Sequence, residues 1–152
     1  MNVMDETLTI DTAIGAMLAN MSPSSRSHVM HVLARELRKR QQKRIARQMN
    51  PDGTPFAPRK RPINRDGSPR GKMFRRERLA RNLPVKASDS EASVAFRGPN
   101  THTEQVHQFG LVDHVGRYHT AVRYPARRLL GFTDEDIHWI EELILNHIAG
   151  ES

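Results

Sequence analysis

The chain has 152 residues, no cysteine, 24 Lys and Arg against 17 Asp and Glu, and an apolar share of only 37%. That length suits one ordinary domain with one core, and the lack of cysteine excludes disulfides and thiolate metal sites. No apolar run approaches the roughly 18 residues needed to cross a bilayer, and no basic-then-apolar leader opens the chain, so neither a membrane span nor a secretory signal is expected.

The net charge of +7 is unevenly spread. Residues 1–25 carry three acids and no Lys or Arg, residues 26–81 carry 18 basic and four acidic residues, residues 82–130 carry six and four, and residues 131–152 carry six acids alone. A middle segment at +14 and a terminal segment at −6 suit nucleic acid, an acidic protein surface, or another copy docked head to tail.

Residues 5–20 read as a short helix, with Leu8, Ala13, Ile14, Met17 and Leu18 at helical spacing and acids near its start. Ser22-Pro23-Ser24-Ser25 interrupts it and offers N-caps for a long helix from about Ser24 to Met49. Val29, Leu33, Leu37, Ile45 and Met49 lie on one row of that helix, interrupted only by Gln41. Opposite them stand Arg35, Arg38, Lys39, Arg40, Lys43, Arg44 and Arg47. That face is either a solvated basic surface or a contact for DNA phosphates or an acidic protein. Phosphate contact asks only for cationic reach and carries no base specificity. Without interleaved aromatic residues, a stacking platform for single strands is not expected.

Asn50-Pro51-Asp52-Gly53 is turn chemistry that ends the helix. Residues 51–72 then form a basic arm with Pro55, Pro58, Pro62 and Pro69, long for an internal loop and therefore functional, mobile or ordered by a partner. The arm lacks the glycine spacing of a phosphate cradle. Met73 to Leu83 reads as a further helix, with Met73, Phe74 and Leu79 or Leu83 inward. Val85 and Ala87, then Ala92, Val94 and Phe96, alternate with polar residues around Ser88-Asp89-Ser90, which predicts a β-hairpin closed by Gly98-Pro99-Asn100. Thr101 to Phe109 suits a turn or two of helix before Gly110 at a C-cap position.

Val115 to Tyr124 reads as one strand, stopped by Pro125. The last helix spans about Thr133 to Ala149, with a stripe of Ile137, Ile140, Ile144 and Ile148 flanked by Trp139 and Leu143. Thr133 and Asp136 approximate a capping box, and Asp134 and Glu135 favour the positive end of the helix dipole. No internal repeat is visible. These elements make an α+β fold: a long basic N-terminal helix and a C-terminal amphipathic helix packed on a small, mainly antiparallel sheet, with an extended Pro- and Arg-rich arm.

Catalytic and metal chemistry find little support. His102, His107, His114 and His119 are close in sequence, but no HxxxH pair sits on a helix and no carboxylate pair completes a set. His28 and His31 lack companions, so structural or surface histidines are expected. No Gly-x-Ser-x-Gly elbow occurs, and capping explains the acids from Asp134 to Glu142. Neither an enzyme nor a cofactor is expected.

An ordered series of segments carries a family resemblance. Val106-His-Gln-Phe-Gly-Leu and Tyr124-Pro-Ala-Arg-Arg-Leu-Leu-Gly-Phe-Thr-Asp-Glu-Asp, with Arg44-Ile-Ala-Arg, Asn50-Pro-Asp-Gly-Thr-Pro-Phe and Lys72-Met-Phe, closely resemble the phage virion morphogenesis (tail completion) family of contractile-tailed temperate phages. The likeness covers about residues 25 to 149 and leaves residues 1–24 as an N-terminal extension of open role. The Phe-Gly and Pro-Ala-Arg pattern is also similar to neck and tail-joining proteins of long-tailed phages.

The resemblance implies a structural virion protein, assembled in the host cytoplasm, that acts late in tail assembly at the end meeting the head. It implies residues 1–152 as a single tail-completion domain. It further implies a ring of copies around the DNA channel, a hexamer first of all, touching tail-tube or head-connector proteins and packaged DNA without sequence preference. Under it, the candidate subunit or partner interface comprises Arg40, Lys43, Arg44, Arg47, Phe56, Arg59, Phe109, Arg127 and Arg128, with Arg127 and Arg128 also candidates for buried ion pairs. Thr133 and Asp136 are the helix cap. A closed ring needs an interface between two different surfaces, which the +14 segment and the −6 helix would supply. The competing reading is a basic DNA-binding protein using residues 26–81.

Overall fold

The computed structural model describes residues 7–9, 19, 21–97, 101–115 and 117–150. The three core clusters lie along one helix, α1 (Pro23–Ala46). Ser22 starts it, its hydroxyl accepting from the Ser25 amide at 3.2 Å, and Pro23 occupies a position whose amide would have no partner anyway. The helix ends three residues before Met49, because Gln48 adopts φ 60 and turns the chain out. Val29, Leu33, Leu37 and Ile45 are fully buried, and so is Gln41.

The described residues form three helices and two small antiparallel sheets, an α+β fold. β1 (Thr7–Thr9), β2 (Val85–Ala87) and β3 (Ala92–Ala95) make one sheet in the order β1-β3-β2. β2 and β3 are the expected hairpin, paired Val85 to Val94 and Ala87 to Ala92. β1 is a correction to the helix read over residues 5–20: Thr7 pairs with Ala95 and Thr9 with Ser93. Two β-branched threonines beside an open strand edge outweigh a helical spacing of apolar residues. The rest of that segment, apart from Ala19, lies outside the described residues, as do Gly98 to Asn100.

α2 (Thr101–Phe109) ends at Gly110, whose φ of 64 suits a glycine after a helix. Beyond it, the single strand read over Val115–Tyr124 is instead a hairpin of β4 (Val112–Val115) and β5 (Thr120–Arg123). His119 at φ 50 helps the chain reverse, and apolar and polar residues alternate on both sides of that reversal as they would along one strand. The helix read over Met73–Leu83 is also corrected: turns lead to a single 3-10 turn at Ala80–Asn82. Phe74 takes φ 65, incompatible with a helix, and sets its ring edge-on to Phe56 and His107 at 5.6 and 4.8 Å.

α3 (Asp134–Gly150) packs antiparallel to α1, with Ile140 and Ile144 in one cluster with Val29, Met30, Leu33 and Ala92 of the sheet. Ile137 departs from the expected stripe and is 43% exposed, because Asp136 takes the inward position in that turn. A second cluster joins Leu37, Leu83, Val94 and Leu130, and a third joins Ile45, Phe56, Phe74 and Leu129. The core thus runs the length of α1.

The arm is more ordered than its composition suggests, and it contains a repeat that sequence inspection missed. Asn50-Pro-Asp-Gly-Thr-Pro and Asn64-Arg-Asp-Gly-Ser-Pro form the same turn. In each, the aspartate accepts from the amide and hydroxyl two residues on, at 2.9 and 2.5 Å in the first and 2.9 and 2.6 Å in the second. The glycines share a left-handed φ, 88 and 86. The first turn packs on the core through Pro51, whereas the second is wholly exposed at the tip of a ribbon closed by the Arg70 amide on the Pro62 carbonyl at 2.8 Å.

Candidate functional site

The two segments that carry the family resemblance meet in space. His107 and Gln108, from the end of α2, face the stretch Tyr124 to Gly131. Gln108 accepts from the amides of Leu129 and Leu130 at 2.6 and 3.0 Å and donates to the Leu130 carbonyl at 2.9 Å. The Arg127 amide donates to the His107 carbonyl at 2.7 Å. The Arg127 side chain, 4% exposed, spreads over three partners: the Ala57 and Pro58 carbonyls at 2.7 and 3.1 Å and His107 Nδ1 at 3.0 Å. A guanidinium only donates, so His107 Nδ1 accepts and the ring is neutral with its proton on Nε2. Burial, and then the Arg127 charge, hold the His107 pKa down to about 4.

From the other side, α1 reaches the same stretch through two buried polar residues, Gln41 of its apolar row and Arg44, which the sequence places on the opposite, basic face. Arg44 donates to the carbonyls of Met49, Arg128 and Leu129 at 3.0, 3.0 and 2.6 Å and to Gln41 Oε1. Gln41 Oε1 also accepts from the Gly131 amide at 3.2 Å. Burial lowers the Arg44 pKa to about 10, which leaves it charged at neutral pH. Asn50 completes the ring of contacts by accepting from the Arg128 amide at 2.8 Å. Motif residues are therefore spent on fixing a non-helical, non-strand corner whose amides and carbonyls would otherwise be unsatisfied.

Arg44 and Arg127 thus act within the chain, and Arg127 meets carbonyls rather than a carboxylate. Phe56 is buried in the third cluster. Arg40 is half-buried, 3.2 Å from Asp136 Oδ1 and stacked 4.6 Å above the Trp139 ring. Thr133 and Asp136 close a reciprocal cap: the Thr133 amide donates to Asp136 Oδ2 at 3.0 Å, and the Asp136 amide to Thr133 Oγ1 at 2.9 Å. Lys43, Arg47, Phe109 and Arg128 remain at the surface. Lys43 and Arg47 continue a row of exposed cations four residues apart, with Arg35 and Lys39. Sequence reasoning missed Gln41 and Gln108; the one available sign was a polar residue interrupting an apolar row.

Arg59 lines a cavity of about 790 Å³ between the arm, α2 and β5. It is lined by the cations Arg59, Lys60, Arg61, Arg70 and the buried Arg127, and by one acid, Glu77. Burial, then Arg70 and Arg75, lower the pKa of Arg59, as crowding of like charges requires. No described carboxylate lies within ion-pair distance of these cations. The described residues also contain no group of three or more His, Asp or Glu able to hold a metal, and no helix long and apolar enough to cross a membrane.

No solved structure matches the chain. It is 39% identical over 148 residues to the tail completion protein S of Escherichia phage P2, covering 95% of this chain and 99% of that one. The model of the phage virion morphogenesis family matches residues 5–149, a span that includes both motif segments and the corner they form. The chain belongs to the phage virion morphogenesis family.

Proposed function

We propose that the protein is a structural component of a phage virion, a single tail-completion domain over residues 1–152 that finishes the tail at its head-proximal end and supports head–tail joining. On this reading it works as a ring of copies, six by preference, around the DNA channel, in contact with tail-tube or head-connector proteins. It has no catalytic role. The relative that carries the name tail completion protein S supports the reading across almost the full length of both chains. The observation that carries the ring is geometric. Four carboxylates, Asp134, Glu135, Glu141 and Glu142, stand exposed on α3, while cations stand exposed on α1 and the arm. Two different surfaces of opposite charge on one molecule are what a heterologous, ring-closing contact needs.

Light scattering in moderate salt tests the ring, with a discrete oligomer expected without nucleic acid. Imaging of particles lacking the protein tests the site of action: full heads beside unjoined tails are expected, and joined particles would overturn it.

The exposed row Arg35, Lys39, Lys43 and Arg47 favours a second reading, in which the chain binds duplex DNA along α1. A monomer with duplex affinity that falls steeply as salt rises would select it.

A further inference from the structure

Two surfaces of opposite charge stand open among the described residues, one concave and basic, the other convex and acidic. The concave one is the cavity under the arm, where cations rim walls that include Met73 and Tyr124. The convex one is the outer face of α3. There Ile137, Glu141 and Leu145 lie four residues apart on one row, with Ile137 43% and Leu145 54% exposed. An exposed apolar pair flanking a carboxylate, on a helix otherwise well packed, is a docking pattern of the helix-in-groove kind.

Leu145 and the cavity sit towards different ends of α1. The cavity shares Phe74 with the cluster around Ile45, at the end of α1. The second half of α3 packs beside the start of α1, where Ile144 joins Val29 and Met30 and the rings of His147 and His28 are 6.0 Å apart. The first half of α3 lies nearer the cavity, since Asp136 pairs with Arg40, but α3 is held against α1 through Ile140 and Ile144, so its exposed row is presented to another molecule rather than to the chain's own cavity.

We propose that the cavity receives the outer face of α3 from a second copy, with Ile137 and Leu145 against Met73 and Tyr124 and with Glu141 among Arg59, Arg61 and Arg70. The proposal rests on the self-assembly reading above and gives it a site. It assigns the interface to the arm cavity rather than to the cationic row of α1. Duplex DNA is the poorer occupant, since its phosphates gain nothing from apolar walls and meet cations most easily on an open ridge.

Charge exchange tests it by sedimentation velocity in moderate salt. Arg59→Glu with Arg70→Glu should weaken self-association at least tenfold, and so should Glu141→Arg. Both exchanges on one chain should restore it. Leu145→Ser is a neutral second probe, expected to weaken association without a change of charge. All these positions are exposed or only half-buried and lie outside the core clusters, so thermal unfolding should be little changed. An oligomer indifferent to every variant removes this interface and leaves self-assembly standing. A wild-type chain that stays monomeric at all concentrations removes both. Loss of duplex binding in the arginine variants, with the oligomer intact, would make the cavity a phosphate site and overturn the proposal.

Discussion

Pro51 lies against Gly131 so closely that a Cβ on the glycine would stand 2.4 Å from Pro51 Cγ. The docked turn of the arm and the motif corner are therefore fitted to each other at a point where no side chain can intervene. Gly131→Ala should cost about 1–3 kcal/mol through overpacking. Denaturant unfolding would measure it, and Pro51→Ala in the same chain should recover part of the loss. Additive effects of the two changes would show that the close approach is not what constrains position 131.

Arg44 links α1 to the same corner through three carbonyls and Gln41. Arg44→Met keeps the bulk but takes the guanidinium donor from the three carbonyls, while Gln41 Oε1 keeps the Gly131 amide. A loss of about 3 kcal/mol or more is expected, since each orphaned group costs roughly 1–3 kcal/mol. Arg44→Lys should recover little of it, because one ammonium cannot reach four acceptors spread as a guanidinium reaches them. Full recovery by lysine would mean that charge, not geometry, is what the site uses.

Sequence reading succeeded where burial follows a period. The rows of α1 and α3 report which face meets the core, Ile137 apart, and local spacing suffices for that, whereas in β3 the alternation fails at Ser93, which is buried in the central strand. It failed where one long-range contact decides. Phe74 is held at φ 65 by its place between Phe56 and His107, partners 18 and 33 positions away in the chain. The β1 strand exists because β3 offers an edge, which no property of Thr7 to Thr9 alone announces. The site shows the same division. Arg44 and Arg127 were visible as arginines in recognisable motifs, but whether they point to water or to carbonyls depends on a corner assembled from four segments. Gln41 read as a flaw in an apolar row and turned out to be the acceptor that Arg44 and Gly131 share.

Asp136 combines two roles that substitution can separate. It caps α3 through the Thr133 amide and pairs with Arg40, which itself stacks on Trp139. Asp136→Asn retains an acceptor for the cap and loses the charge, so a cost of about 1 kcal/mol or less is expected for this partly exposed pair. Asp136→Ala removes both and should cost about 1–2 kcal/mol more. The comparison is read from thermal unfolding at low and high salt. The difference between wild type and Asp136→Asn should shrink as salt rises, whereas that between Asp136→Asn and Asp136→Ala should not.

Glu104 and His107, one turn apart on α2, should tilt stability against pH in opposite directions. Glu104 is buried, neither of its carboxyl oxygens has a partner among the described residues, and burial followed by the nearby Glu77 raises its pKa from 4.5 to about 8. Between those values the folded chain holds a proton that the unfolded chain releases, so this contribution is full below pH 4.5 and is lost as pH rises towards 8. His107 behaves inversely: its pKa falls from 6.5 to about 4, so the unfolded chain takes up the proton first and stability is lost as pH drops through that window. Protonation there would also set a charge against Arg127, 3.0 Å away. Glu104→Gln should therefore leave the acid limb unchanged and stabilise the protein progressively between pH 5 and 8, as followed by urea unfolding at each pH. Parallel curves for the variant and wild type would mean that the Glu104 carboxyl is solvated in the folded protein, and the raised pKa would fall with them.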